Sequence, residues 1–161
     1  MPIIKIEMKI DAPIQRVFDL ARCIDLHTES MSESNEKAVA GKTKGLINKD
    51  ETVTWEAIHF GIKQKLTSKI TIFERPHRFR DSMVKGAFKR FDHDHFFETK
   101  NSQTIMKDVF DYDSPLGFLG DIADALFLEN YMTELLESRN ALIKTVAESD
   151  DWKKYIRANP E

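Results

Sequence analysis

Residues 90–98 read RFDHDHFFE and set His93 and His95 one residue apart, between acids and aromatic rings. Imidazole gains and loses its proton near neutral pH, and its neutral form is a common metal ligand. Successive side chains of an extended strand point to opposite faces, so Phe91, His93, His95 and Phe97 share one face. Arg90, Asp92, Asp94 and Glu98 take the other, and their charges mark it as the wet one. The histidines therefore point inward, where each needs a polar partner.

Neighbouring strands offer those partners. A two-residue hairpin turn over Lys100 and Asn101 sets Phe97 opposite Thr104, His95 opposite Met106 and His93 opposite Asp108. Directly opposed Cβ atoms stand about 4.5–5.5 Å apart, which brings His93 and Asp108 within hydrogen-bonding reach. On the other flank, a three-residue turn over residues 86–88 puts Asp81 opposite His93, whereas a two-residue turn puts Arg80 there. The first keeps Arg78, Arg80 and Lys85 mostly outside, and is favoured for that reason.

A histidine held between carboxylates fits three roles. It can complete a buried polar network in a cavity wall. It can orient a bound ligand, or act as a general base, because a carboxylate fixes its tautomer and raises its basicity. His-x-His on a strand also offers two metal ligands on one side, with His27, His59 or Asp81 as a third. The same spacing is common in strands without metal, so neither a metal nor another cofactor is expected. Trp55 shares a face with Val53, Ala57 and His59, either as a core anchor or as the aromatic wall of a pocket with His59 as its polar tip. His27 is expected at the surface and Cys23 in the core. Arg139 interrupts an apolar helical face and is expected to snorkel or to pair with a carboxylate.

The elements that must position these groups follow from periodicity. Ile4, Ile6, Met8 and Ile10 alternate with Lys5, Glu7 and Lys9, giving a first strand over residues 3–10. Asp11 and Pro13 suit the start of a helix, and Ile14, Val17, Phe18 and Ala21 follow at helical spacing. A second short helix fits residues 23–29. Residues 35–113 then read as strand after strand, with Leu66, Ser68, Ile70 and Ile72 expected on one face. From Asp121 to about residue 148 the period becomes helical. A curved sheet with the long helix across its concave face buries both apolar surfaces and leaves a pocket between them.

Composition bounds the function. The 161 residues, 41% hydrophobic and 32% charged, suit one globular domain, expected over residues 1–161 with a core at 3–146 and a tail at 149–161. No apolar run is long enough for a membrane helix, and the early alternation of MPIIKIEMKI is unlike a signal peptide. A net charge of −3 argues against a protein built to hold nucleic acid. One cysteine rules out a disulfide within the chain and fits a cytoplasmic setting.

Longer motifs carry a resemblance. The strand leading into DAPIQRVFDLA resembles the opening of the START-like (SRPBCC, polyketide cyclase or birch-pollen-allergen-like) superfamily. VTWEAIHFG, then ITIFERPHRFRDSMVKGAFKRFDHDHF, then TIMKDVFDYDSPLGFLG are similar to a bacterial branch often labelled cell-division-inhibitor-like. Its pattern runs W-x-A-x-H-F-G, P-x-x-F-x-D, G-x-F, H-x-H-x-F, T-x-x-x-D and P-x-G-x-x-G, and Trp55, His59, Asp81, His93, His95 and Asp108 all fall on it. Ala87 departs where the branch usually has proline, and NKDE at 48–51 departs where a glycine often precedes the acid.

The resemblance implies an α+β helix-grip fold with a curved antiparallel sheet of six or seven strands around a long C-terminal helix. It also implies an internal ligand cavity. With the residue readings, it leads to an expected binding protein, used for transport or sensing, for a small hydrophobic or amphipathic molecule. The expected cavity residues are His93, His95, Asp108, Asp81, Trp55, His59, Phe97, Leu126 and Met132. The alternative is a cyclase, dehydratase or hydrolase using a cavity His–Asp pair. No nucleophile elbow, phosphate loop or paired-cysteine motif is present, which suits binding. A third possibility, a structural or regulatory partner, calls for a large exposed apolar patch.

Overall fold

The computed structural model describes residues 2–114 and 127–156. Strand β1 (Ile3–Ile10) leads into helices α1 (Ile14–Ala21) and α2 (Ile24–Ser30). Six strands follow: β2 (Lys37–Gly41), β3 (Thr52–His59), β4 (Ile62–Glu74), β5 (Arg78–Lys85), β6 (Arg90–Lys100) and β7 (Gln103–Asp113). A long helix α3 (Glu129–Ala147) and a short α4 (Trp152–Tyr155) complete the described chain. The expected helix start near Asp121 lies outside the described residues, as does Leu126.

The strands form one sheet in the order β1-β7-β6-β5-β4-β3-β2, and every neighbouring pair is antiparallel. The sheet curves about α3, which packs on β1, α1 and α2. Along α3 the buried positions are Leu136, Arg139, Asn140, Ile143, Val146 and Ala147, steps of three and one that trace one helical face. Two of them are polar, and they bring Arg139 and Asn140 down onto the sheet. Helix α1 starts after Pro13 without a side-chain cap. Asp11, which the sequence offers as a cap, does not cap it with its side chain; its backbone N–H instead donates to Glu148 Oε1 at 2.8 Å.

The apolar core has two parts. One gathers α1, α2 and the C-terminal half of α3 around Phe18, which meets Phe73, Phe79 and Phe97 edge-on at 5.5, 5.4 and 5.3 Å. Each such ring pair adds about 0.5–1.5 kcal/mol beyond its area burial. The other joins Ile4, Phe91, Phe110, Tyr112 and Leu136. The outward face of β5 and β6 is less wet than its charges suggest. Asp94 is only 7% exposed, because Arg78 and Arg80 both close over it, at 2.8 and 2.6 Å.

Two details of register differ from the sequence expectation. The β6–β7 hairpin turns on Asn101 and Ser102, with φ of 50° and 62°, rather than on Lys100 and Asn101. A two-residue turn with positive φ at both positions matches the twist of the strands it joins. The pairing therefore slides by two residues: His95 faces Asp108 and His93 faces Phe110. An even slide keeps each side chain on its own face. In β4 the pairing shifts between Ile70 and Ile72, so Thr71 sits in a bulge. Ile72 consequently pairs with Arg80 on the outer face, and Phe73 takes the inward place expected for it.

Candidate functional site

Beneath α3 lies a cavity of about 490 Å³. Its walls are mostly apolar, with Leu66, Ile70 and Phe110 from the sheet and Met132 and Leu136 from the helix. Its polar lining is unusual in kind, since His27, His59, His93 and His95, four of the chain's five histidines, all border it. Three polar stations result.

The first is the floor. Strand alternation turns His93 and His95 inward, 7% and 1% exposed, with ring centroids 3.9 Å apart. Asp81 stands directly opposite His93 on β5, the register expected from a three-residue turn. His93 Nε2 lies 3.0 Å from Asp108 Oδ1, and His95 Nε2 lies 3.2 Å from Asp81 Oδ2. His95 Nδ1 is 2.7 Å from Asp108 Oδ1, but off the line its N–H takes, so that contact is ionic rather than a formed hydrogen bond. Asp108 has no solvent exposure. Its Oδ2 accepts from Asn140 Nδ2, and the Arg139 guanidinium stands 3.6 Å away. Arg139 is itself buried, donating to Asn140 Oδ1 and to the Ala21 carbonyl, both at 2.9 Å. It pairs inward and does not snorkel.

Charge states follow from these contacts. Burial, the largest influence on Asp108, favours its neutral form. His93, His95 and Arg139 together overturn that and hold its pKa well below the ordinary carboxylate value. Asp81 is lowered in the same sense, with burial opposed by His95, His93 and Arg139. For His95, burial pulls the pKa down, yet Asp108 and Asp81 outweigh it and the pKa ends above the ordinary value. For His93, burial and then the charge of His95 prevail over Asp108, and its pKa falls. The two carboxylates thus favour a proton on His95, whereas burial and the charge of His95 disfavour a second one on His93. Neutral His93 donates its Nε2–H to Asp108, and its Nδ1 keeps a lone pair. Among the described residues, no hydrogen bond to that Nδ1 is formed.

The second station joins sheet to helix, where His59 Nδ1 and Tyr131 Oη meet at 2.7 Å. The third is His27, whose Nε2 lies 2.6 Å from Glu36 Oε1 and whose ring packs on Trp55 at 4.3 Å. His27 was expected at the surface. It turns inward because α2 ends over the sheet, where Glu36 and the Trp55 ring offer it partners.

Not every expected cavity residue lines the cavity. His93, His95, Asp81, Trp55, His59 and Met132 border it. Asp108 lies one layer deeper, behind the histidines. Phe97 belongs to the core, where it packs on Phe18, because its side of β6 is covered by α1.

No family model matches the chain, and no curated protein matches it significantly. Solved structures do match. A protein of Thermus thermophilus aligns with TM-score 0.72 at 20% identity, over 89% of this chain and 95% of that one. Ginseng major latex-like protein 151, from Panax ginseng, aligns with TM-score 0.67 at 14% identity, over 92% and 98%. A START superfamily protein from Mycobacterium smegmatis aligns with TM-score 0.67 at 9% identity, over 91% and 97%. The chain has the START-like fold.

At these identities the likeness is one of architecture, and the chemistry must come from this chain's own side chains. Within the START-like frame, sequence reasoning missed Tyr131, Glu36 and Asn140. Asn140 left one usable signal: it adjoins Arg139 on a face otherwise apolar. Among the described residues, no helix is long and apolar enough to cross a membrane.

Proposed function

We propose that the protein binds a small amphipathic molecule, apolar body against the walls and polar end on the Asp81–His93–His95 floor. The observation that carries this reading is the cavity itself, about 490 Å³ of mostly apolar space with titratable groups gathered at one pole. Small-molecule sites span roughly 300–1,000 Å³. Burying about 300 Å² of apolar ligand surface contributes about 7.5 kcal/mol before the entropy of association is subtracted. Orientation comes from the floor, where His93 Nδ1, without a hydrogen-bond partner among the described residues, accepts a hydrogen bond. A ligand hydroxyl, phenol or enol satisfies it. The lone buried cysteine, Cys23, fits a cytoplasmic setting.

Titration with the fluorescent amphiphile 1-anilinonaphthalene-8-sulfonate tests the reading. Saturable, one-to-one enhancement in the folded protein is expected, weakened when Ser68, a buried residue of the wall, is replaced by phenylalanine to fill the space. Enhancement that never saturates, or that the filled variant retains unchanged, would count against it. The 3.0 Å contact of His93 with Asp108 also favours a second reading, in which the dyad takes a proton from a bound hydroxyl or α-carbon as general base.

A further inference from the structure

We propose that Asp81, His93 and His95 form a binding site for a first-row divalent metal ion, zinc being the ion their donors suit best. One donor atom from each of the three lies within 4.8 Å of the other two. Two adjacent strands supply them. His-x-His places both rings on one face of β6, and the antiparallel register sets Asp81 directly across from His93.

The spacing fits a small cation. Ligands bonded tetrahedrally to zinc at 2.0–2.1 Å stand about 3.3–3.4 Å from one another. His95 Nε2 and Asp81 Oδ2 stand 3.2 Å apart already. An ion replacing the proton between them asks for little movement.

The layer behind the ligands is the stronger reason. Metal-binding histidines commonly present their second nitrogen to a carboxylate, which sets the tautomer and the ring angle. Asp108 stands beside both rings, hydrogen-bonded to His93 Nε2 at 3.0 Å and in ionic contact with His95 Nδ1 at 2.7 Å. That leaves His93 Nδ1 and His95 Nε2 as the nitrogens available to an ion, the second of them already 3.2 Å from Asp81 Oδ2. Asp108 is in turn held by Asn140 and neighboured by Arg139. With both imidazoles neutral as ligands, Asp81 and Asp108 outnumber Arg139 by one negative charge, which offsets part of the charge of the ion.

Two imidazoles and a carboxylate make a borderline donor set that suits zinc or ferrous iron better than calcium or magnesium. Three protein ligands leave at least one coordination position, and because all three border the cavity, it opens there. A water, or the carboxylate, enolate or hydroxyl of a cavity ligand, can fill it. The ion does not depend on that ligand for its binding, but it takes the same floor groups, so a bound ion would meet the ligand's polar end in place of His93 Nδ1.

The test is a calorimetric titration of Zn²⁺ into chelator-treated, dialysed protein. Visible spectroscopy with Co²⁺ then reports coordination number. One equivalent is expected to bind, with the visible bands of four-coordinate cobalt. Asp81→Asn keeps shape and volume and is expected to weaken zinc at least hundredfold, as is His95→Gln. His77→Ala alters the exposed histidine outside the cavity and is expected to change nothing. Near-ultraviolet circular dichroism checks each fold, and His93→Gln replaces any variant that fails. No stoichiometric uptake by the wild type, or equal uptake in Asp81→Asn, overturns the proposal. Such a failure leaves the amphiphile reading intact, because the fluorescent titration is run on metal-free protein.

Discussion

His93 Nε2 lies 3.0 Å from Oδ1 of Asp108, a carboxylate with no exposure to solvent. Through that contact an element read easily from sequence, β6, is tied to one that was not, the Asn140 position on α3. A cavity floor fastened to both sheet and helix holds its geometry without a ligand, which is what preorganised binding needs.

Asp108→Asn should therefore act on stability. The change keeps volume but removes the charge that compensates Arg139 and His95. Removing one member of a buried ionic network costs about 3–5 kcal/mol. Urea unfolding is the measurement. A loss under about 1 kcal/mol would show that the network is not held by Asp108.

Asp94 gives a pH signature on the outer face. Burial, the largest influence, raises its pKa, but Arg80 and Arg78 together outweigh it and hold it below the ordinary value. A depressed carboxylate contributes stability that is present above the unfolded pKa of about 3.9 and lost as pH falls through the folded value. Asp94→Asn is thus expected to be less stable than wild type at pH 7, with the gap narrowing below about pH 4. Thermal melts across that range check it, and a gap that stays constant with pH would contradict the ionic account.

How much of this was legible in the sequence depended on distance along the chain. Alternation in RFDHDHFFE was enough to turn both histidines inward, because period two assigns faces independently of the partner strand. The turn placement was off by one residue, which moved the pairing by two and left faces intact, so Asp108 stayed inside but met His95 across the ladder. Ile72 was misassigned because a bulge at Thr71 has no mark in composition. Contacts from helix to sheet, such as His59 with Tyr131 or Asn140 with Asp108, were out of reach. Helical period tells which face is buried, not what height on the sheet it meets.

Gly41, at the end of β2, has φ of 71°, and a Cβ there would fall 2.3 Å from the Thr52 carbonyl oxygen. Both the left-handed backbone and the close approach exclude a side chain. Gly41→Ala is expected to lower stability by about 2 kcal/mol or more. Chemical denaturation that finds less than about 0.5 kcal/mol would mean that the β2–β3 edge relaxes freely.

Native mass spectrometry of protein purified without denaturation addresses the binding claim most directly, on wild type and His93→Phe side by side. The substitution keeps an aromatic ring on the floor and deletes Nδ1, and a hydrogen bond left unmade there costs about 1–3 kcal/mol. The expected wild-type spectrum shows the 18.7 kDa chain with a small-molecule adduct that denaturation releases. In His93→Phe, still folded, the adduct should fall to a small fraction. A wild-type protein that flies bare, or an adduct equally occupied in both, would contradict a ligand held by its polar end on the histidine floor.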